Sequence, residues 1–399
     1  MRLFGYLVPL WLGGISASAL AGQWHYNGFV SQSVINTSDN NFFGRSDDAL
    51  NTDFRELALI LTGSPVQALE GSMQVLSRSA GTADNGAPRI DYAFVSWRFQ
   101  ETVEISQGFS LGKVKVPYGF FNETRESPFG RQHIWLAQSI YPDRSRNSQM
   151  TANELLYFGE YRGEDWTFGL KAGYGKAKPD PDELTDYFQV NAALENFSVS
   201  SSTKWNAQLT ADYGGGRFRA ALSRVLVPIA FQASLRFPNA AVLNLDAVVK
   251  TYINVLSLEW NEPAFSVSAE IEDSAVNYAG LTVDYTQPDY RNYPQGANVE
   301  LRFHATPSWD IYTRFDGVVF DKNDRSGEHF QRVTGAPSFT RFAYDKVLGA
   351  AYRPSPDWLI MAEAHRVNGT MWGTARDMPE GEMVSHYWNM AALTVAWRF

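Results

Sequence analysis

The chain ends in Tyr387-Trp-Asn-Met-Ala-Ala-Leu-Thr-Val-Ala-Trp-Arg-Phe399, and this stretch decides the fold. Every second residue back from Phe399 is apolar or aromatic as far as Ala391, and Tyr387 closes the same face at its other end. Because side chains alternate between the two faces of a β-strand, the pattern predicts a terminal strand with one apolar face framed by aromatic residues. The alternative is a sandwich strand that ends the chain by chance.

The same alternation recurs along the chain and predicts an all-β protein. Residues 166–175 and 204–213 alternate apolar and polar residues throughout, with an aromatic residue at each end of the apolar face. The opposite faces are polar and indicate contact with water. Sixteen segments are predicted as strands: 24–36, 53–63, 67–78, 90–99, 105–116, 153–162, 166–175, 204–213, 217–225, 250–260, 264–273, 296–305, 309–319, 341–352, 358–367 and 386–399.

The gaps between these strands alternate strictly between short and long. The seven short gaps are rich in Gly, Pro, Asn, Asp and Ser, which are turn residues. The eight long gaps range from 79–89 to 117–152. This layout is typical of a transmembrane antiparallel β-barrel with short periplasmic turns and long extracellular loops. Barrel closure requires 386–399 to pair with 24–36.

The N-terminal segment predicts export. Arg2 precedes an uncharged run from Leu3 that ends in Ala19-Leu20-Ala21, as in a signal peptide cleaved after Ala21. A membrane-anchor helix is the alternative, since the run is almost long enough to span a bilayer. Residues 1–21 are therefore predicted as a signal peptide and 22–399 as a single barrel domain.

Composition narrows the function. No later apolar run approaches 18 residues, and only helices and closed barrels satisfy every backbone group in lipid. The 14% aromatic content fits the aromatic girdles of a barrel. The chain has no cysteine, so neither disulfides nor thiolate metal sites are expected, and no cofactor is predicted. Loss of Arg2 takes the formal charge from −9 to −10, which argues against a nucleic-acid partner.

The terminal strand resembles the closing strand of Gram-negative outer-membrane β-barrels, whose terminal Phe and preceding alternate apolar residues form the assembly signal. The resemblance assigns that signal to Phe399, Trp397 and Val395. It implies an outer-membrane location in a Gram-negative bacterium. It also implies contact with the barrel assembly machinery, outer-membrane lipid and lipopolysaccharide.

The gap 117–152 is the longest, and it is too apolar and aromatic for a solvated loop. It holds the third long-loop position, which resembles the sixteen-stranded porins whose third loop folds into the pore. The run Gly112 to Gly119, continuing through Asn122 to Arg131, is also similar to the third-loop region of phosphate-selective O/P-type porins. The resemblance implies a homotrimer and a third loop that narrows the pore.

Residues 113–152 carry six basic and three acidic groups, a net charge of +3 in an acidic chain. A positive constriction would favour anions, since a narrow passage focuses the local field. Lys113 and Lys115 share a strand face that is predicted to be luminal. The alternative is that the arginines pair with carboxylates and only anchor the loop. The candidate constriction residues are Lys113, Lys115, Arg125, Glu126, Arg131, Arg144 and Arg146.

The predicted lumen wall carries both charges. Its candidate residues are Lys171, Arg217, Arg219, Glu270, Glu272, Glu300, Arg302, Asp310 and Arg314. Such charges need water nearby, so an aqueous channel is expected. The mixture departs from the arginine ladder and lysine cluster of the phosphate-selective porins, and this argues against phosphate specificity.

These features favour passive diffusion of small hydrophilic solutes and ions, with a weak preference for anions. Two alternatives remain open. An outer-membrane enzyme of the lipase or protease type could use His304 or His365, but no local motif suggests a nucleophile, base and orienting group. A non-conducting structural or adhesin barrel is the other alternative.

Overall fold

A computed structural model describes residues 23–47, 49–143, 146–177, 193–236, 242–280, 289–373, 377 and 384–399. The predicted signal peptide, residues 1–21, and the candidate constriction residue Arg144 lie outside the described residues. No helix in the described part of the chain is long and apolar enough to cross a membrane. The two short helices are α1 (Arg146–Met150) and α2 (Glu328–Thr334).

Sixteen antiparallel strands close into one transmembrane β-barrel, as predicted. Two of them, β8 and β12, are interrupted once, and both parts of each pair with the same preceding or following strand. The strands are β1 Gln23–Thr37, β2 Arg55–Val66, β3 Leu69–Ser79, β4 Arg89–Glu101, β5 Ile105–Lys115, β6 Thr151–Arg162, β7 Trp166–Ala177, β8 Ala193–Ser200 with Ser202–Tyr213, β9 Phe218–Arg236, β10 Val242–Asn261, β11 Phe265–Ala279, β12 Asp289–Asn292 with Gln295–Thr306, β13 Trp309–Val319, β14 Phe342–Ser355, β15 Trp358–Gly369 and β16 Tyr387–Arg398.

The barrel closes between β1 and β16, which confirms the predicted pairing of the terminal strand. The register places Val30 opposite Trp397. Beyond it, the backbone N–H groups of Gly28 and Phe399 each donate to the other's carbonyl oxygen at 3.0 Å. A Cβ on Gly28 would lie 2.7 Å from Cζ of Phe399, so the seam requires glycine there. The last residue of the chain therefore takes part in closing the barrel.

The two faces of the terminal strand differ as the sequence predicts. Along β16, Tyr387, Leu393 and Trp397 are exposed on the outside, whereas Trp388 and Ala396 are buried on the inside. Seven turns of two to four residues join the strands at one end of the barrel, and the longer connections leave from the other end. The alternation of short and long gaps is thus confirmed.

β9 and β10 are much longer than predicted. The predicted strands 217–225 and 250–260 left residues 226–249 as a loop, but the pairing continues from Leu226 opposite Tyr252 to Arg236 opposite Val242. The added part of β9 contains Pro228, a residue that is uncommon inside a central strand. Alternate residues of this extension, Phe231 and Ala233 among them, are buried in an apolar cluster that stabilises the added length.

The lumen is not the uniformly aqueous channel that its charged residues predict. Aromatic side chains of the first long connection and Trp135 of the third pack against apolar inward residues of β15 and β16. This cluster includes Phe42, Phe43, Phe54, Trp135, Leu359, Met361, Trp388 and Met390. Leu359 and Met361 interrupt the polar face of the predicted strand 358–367. In the structure they are part of a hydrophobic core inside the barrel.

Candidate pore constriction

The third long connection, described at residues 116–143 and 146–150, lies inside the barrel and is called the plug loop below. Its backbone N–H groups are satisfied by wall side chains: Gly119 donates to Ser223 Oγ at 3.1 Å and Gln138 to Asp316 Oδ2 at 2.8 Å. Ile134 donates to Glu363 Oε1 at 3.1 Å. Irregular backbone within a barrel needs such partners. The loop thus crosses from β9 to β13 and β15, and the predicted infolding of the third loop is confirmed.

The described arginines of the plug loop, Arg125, Arg131 and Arg146, are buried in ion pairs. Arg131 makes a bidentate contact to Glu56 of β2, with nitrogen to oxygen distances of 3.0 and 2.6 Å. Arg125 donates to the Tyr141 carbonyl at 3.0 Å and lies 3.6 Å from Asp143. These two arginines therefore pair with protein groups and anchor the loop, as the alternative interpretation of the sequence states. Neither presents a free charge to the lumen.

Glu126, Lys115 and Arg146 extend the same arrangement. Lys115 Nζ lies 2.6 Å from Asp91 and 3.6 Å from Glu126. Arg146 pairs with Glu126 and lies 3.5 Å from Asp143. All three candidate residues are less than 9% exposed.

Sequence reasoning missed the wall partners of this cluster, above all Arg78 and Glu56. Arg78 is 2% exposed and lies 3.0 Å from Asp143, 3.4 Å from Asp84 and 3.6 Å from Glu56. In the sequence, Glu56 alternates with Leu57 and other leucines that face outward. This pattern could have identified Glu56 as an inward-facing carboxylate. The anchoring cluster comprises Arg78, Arg89, Lys115, Arg125, Arg131 and Arg146 with Glu56, Asp84, Asp91, Glu126 and Asp143.

Six cations thus meet five carboxylates in the anchoring cluster, so each of the cations Lys115, Arg125, Arg131 and Arg146 has a carboxylate within the cluster. Asp84 shows the electrostatics outside the strands. Burial disfavours its ionised form, but hydrogen bonding to Arg89 and the charge of Arg78 outweigh burial and lower the pKa of the carboxyl. The carboxylate is therefore stabilised by the folded cluster.

The luminal placement predicted for Lys113 is wrong. In β5 it shares the outward face with Leu111, which is 65% exposed, while Val114 is buried on the inward face. Lys113 Nζ donates to the Ile90 carbonyl on the neighbouring strand at 2.7 Å. Alternation alone could not orient this strand, because valine fits a lumen that is filled by an apolar loop.

A second anchor holds the middle of the plug loop through histidine. His133 Nδ1 lies 3.1 Å from Glu363 Oε1, and its Nε2 contacts Glu300. The Tyr312 hydroxyl donates to Glu363 at 2.8 Å. His365 lies 2.7 Å from Asp345, and its ring stacks on Trp135 at a centroid distance of 5.1 Å. His365, an enzyme candidate in the sequence, is fully buried in this anchor and inaccessible to a substrate.

We call the contacts of His133 and His365 the histidine anchor, and the part of the wall that holds the plug loop through the anchoring cluster and the histidine anchor the anchored side. Inward residues of β11 to β13 complete the anchored side. Glu270 accepts hydrogen bonds from the Tyr141 hydroxyl at 2.7 Å and the Phe120 N–H at 3.0 Å. Burial raises the pKa of the Tyr141 hydroxyl well above its usual value, so the hydroxyl stays protonated and donates. The half-buried Glu272 accepts from Ser274 Oγ at 2.7 Å.

Arg302 and Arg314 also support the plug loop from the wall. Arg302 donates to the Gln132 carbonyl at 2.6 Å and lies 2.9 Å from Glu300 and 3.5 Å from Asp310. Arg314 donates to the Trp135 carbonyl at 3.3 Å. Two inward cations are therefore used as donors to loop carbonyls.

Arg217 is not a wall residue. It lies in the turn between β8 and β9, its side chain is 61% exposed, and its nearest carboxylate is Glu262 of the adjacent turn at 2.7 Å. The predicted strand began one residue too early, since β9 starts at Phe218. Arg217 therefore belongs to the short-turn rim of the barrel.

The inward faces of β7 to β9 differ from the rest of the wall because their charged groups remain accessible. Lys171 pairs with Glu123 of the plug loop at 2.7 Å, and both side chains are more than one third exposed. Arg219 is 41% exposed, contacts Glu259 at 2.7 Å and lies 4.9 Å from the Phe120 ring centroid. We call this region the open side; its inward residues are Lys171, Thr210, Asp212 and Arg219, facing Phe120 and Glu123.

The open side can contact polar solutes through charges of both signs. Among the described residues, no group of three or more His, Cys, Asp or Glu side chains is arranged to hold a metal ion. His304, the other enzyme candidate, is partly exposed and hydrogen-bonds to Asp310 at 2.8 Å. This arrangement supports a narrow polar passage.

No protein-family model and no curated protein matches the sequence. Solved structures do match over nearly the whole chain. An anion-selective porin from Comamonas acidovorans has 11% identity and a TM-score of 0.57, with 95% of this chain and 100% of that chain covered. The trimer form of OmpT from Vibrio cholerae has 13% identity and a TM-score of 0.57 at the same coverage.

The outer-membrane channel DcaP of Acinetobacter baumannii has 14% identity and a TM-score of 0.54, covering 95% of this chain and 97% of that chain. At these identities the likeness establishes the fold alone. The fold is that of the Gram-negative outer-membrane porins.

Proposed function

We propose that the protein is an outer-membrane porin through which small hydrophilic solutes and ions diffuse passively. The observation that carries the proposal is the open side, where charged residues stay accessible inside a barrel that is otherwise filled by the plug loop. The solute path runs between Phe120 and Glu123 of the plug loop and the inward faces of β7 to β9. Polar groups there replace part of a solute's hydration shell.

Any preference for anions is weak under this proposal. The cations of the plug loop are matched by carboxylates in the anchoring cluster, so they add little field to the path. On the open side, Lys171 and Arg219 are likewise paired, with Glu123 and Glu259. Selectivity therefore depends on a small imbalance between exposed charges of opposite sign.

Cellular context follows from the same proposal. Residues 1–21 direct export, and Phe399, Trp397 and Val395 present the assembly signal to the barrel assembly machinery of a Gram-negative bacterium. The barrel then resides in the outer membrane with its short turns in the periplasm, in contact with lipid and lipopolysaccharide. We infer a homotrimer, a state that native mass spectrometry of the detergent-solubilised protein tests directly.

A closed structural or adhesin barrel is the second candidate, and the hydrophobic core around Trp135 favours it. Aromatic residues of the first connection and of the plug loop pack into a hydrophobic core on one side of the lumen. A catalytic function has less support, since His365 is buried between carboxylates. We therefore propose no enzymatic activity.

Planar bilayer recording tests the proposal. The purified protein should give stepwise conductance, and a salt gradient should give a small reversal potential. Absence of conductance would support the closed barrel, and strong selectivity for either ion would contradict the neutralised constriction.

A further inference from the structure

The outer surface of β13 to β16 carries two cations where a lipid-facing surface should be apolar. Outward positions on these strands are mostly aromatic or aliphatic, including Phe315, Leu348, Ile360 and Leu393. Lys346 of β14 and Arg366 of β15 share this outward face and are exposed. Charged residues on such a face are costly unless they meet a polar partner.

Lys346 and Arg366 are direct cross-strand neighbours. The register pairs them as Cα partners in the antiparallel ladder, which brings their Cβ atoms to about 5 Å. Like charges at this position repel each other. The fold therefore holds two cations together on the outer surface, and an anion between them would relieve the repulsion.

The described part of these four strands does not provide that anion. Among the described residues of β13 to β16, the outward face contains no Asp or Glu. The hydrogen bond found for Arg366 runs to the neutral Asn389 amide, from Nη1 to Oδ1 at 3.5 Å. Acidic residues of these strands, such as Glu363 and Asp345, face inward and belong to the histidine anchor.

The height of the pair matches the boundary between hydrocarbon and headgroups. Trp358 marks the aromatic girdle at the short-turn end, and Arg366 lies eight residues farther along the same strand. At a rise of about 3.3 Å per residue and a tilt of about 40°, the two residues differ in height by roughly 20 Å. Tyr344 and Tyr387 lie just beyond the cations, at the upper girdle. Long cationic side chains there reach the headgroup layer.

We propose that Lys346 and Arg366 form a binding site for the phosphorylated headgroup of an outer-leaflet glycolipid. A phosphoryl group accepts hydrogen bonds from both cations and neutralises them together. The lipid's acyl chains then lie over Leu348, Ala364 and Leu393. This site rests on the proposed outer-membrane location, but it is independent of conduction.

Lipid is a better occupant than the same surface of a second copy of the chain, because that surface would need to supply an outward acidic group. No Asp or Glu occurs on the outward faces of the four strands around the pair, so two such surfaces meeting would place cations against cations. A membrane surface of phosphorylated glycolipid supplies the missing charge.

The test uses the full-length protein in vesicles of phosphatidylcholine containing lipid A with two phosphates, and native mass spectrometry counts the retained lipid. The double variant Lys346→Gln with Arg366→Gln should bind lipid A about 30-fold more weakly. Arg55→Gln is the matched control. Arg55 is an exposed outward cation whose cross-strand partners are the uncharged Gln32 and Ser79, and its loss should change binding far less.

Four results would overturn the site. Equal retention of lipid A by the wild type and the double variant would show that Lys346 and Arg366 do not bind the lipid. Equal retention of dephosphorylated lipid A, or displacement by inorganic phosphate at matched concentration, would show that the phosphorylated lipid is not the ligand. A change of oligomeric state in the double variant with unchanged lipid binding would assign the pair to an interface between copies.

Conductance separates this proposal from the proposed function. Both variants should keep wild-type conductance, since none of the three substituted residues faces the lumen, and this also verifies that they fold. A wild-type protein that retains lipid A without conducting would contradict the channel while leaving the lipid site intact.

Discussion

The anchored and open sides of the lumen contain the same kinds of charged residue but use them differently. On the anchored side, Arg131 and Glu56 are almost completely buried and bind each other. On the open side, Lys171 and Glu123 are joined by a similar ion pair, but each remains over one third exposed. Charge on a pore loop therefore indicates a role in conduction only where solvent reaches it.

Breaking the buried pair should give the largest effect. Glu56→Ala removes the carboxylate that Arg131 binds, while Arg78 keeps Asp84 and Asp143, and leaving the buried Arg131 charge unpaired costs about 3–5 kcal/mol of unfolding free energy. Urea unfolding in lipid vesicles measures the loss, and bilayer recording should show a noisier, larger conductance as the plug loop loosens. Glu262→Ala, which breaks the exposed pair with Arg217, is the control and should have little effect on either quantity. Equal losses in the two variants would contradict the distinction.

Charge reversal on the open side should change selectivity rather than stability. Lys171→Glu places two carboxylates together at the edge of the plug loop, so the cation-to-anion permeability ratio should rise several-fold. The reversal potential under a salt gradient measures this ratio. Arg217→Glu makes the same charge change at the short-turn rim and should shift the potential much less. A larger shift for Arg217→Glu would place the constriction elsewhere.

Acid should weaken the anchored side slightly through Asp84. Its pKa is lowered in the folded protein by Arg89 and Arg78, so its contribution is present above the unfolded pKa of about 3.9 and is lost as the pH falls through the folded pKa. Urea unfolding between neutral and acidic pH should therefore show a smaller loss of stability for Asp84→Asn than for wild type. Identical pH profiles would show that the Asp84 contacts do not contribute.

The fold was largely predictable from the sequence because alternation and gap length report directly on a barrel. The sixteen strands and the β1 to β16 closure follow from them, whereas the infolding of the plug loop was expected from its apolar, aromatic composition and from the resemblance to sixteen-stranded porins. The extension of β9 and β10 was missed, although the pairing continues beyond Pro228 through Phe231 and Ala233.

The ion pairs of the plug loop were less predictable. Arg78 and Arg131 are 53 residues apart in the sequence, and only the closed barrel brings both to Glu56. Net charge of a segment does not contain that information. Lys113 was misplaced for a related reason, since the apolar plug loop makes Val114 suitable for an inward position.

Site-specific thiol labelling tests most directly whether solutes pass along the open side. The chain has no cysteine, so an introduced one reacts alone. Thr210 and Thr394 are both inward threonines, but Thr210 is exposed on the open side and Thr394 is fully buried on the anchored side. A charged methanethiosulfonate reagent should reduce the conductance of Thr210→Cys and leave that of Thr394→Cys unchanged. Block of Thr394→Cys without block of Thr210→Cys would contradict the account.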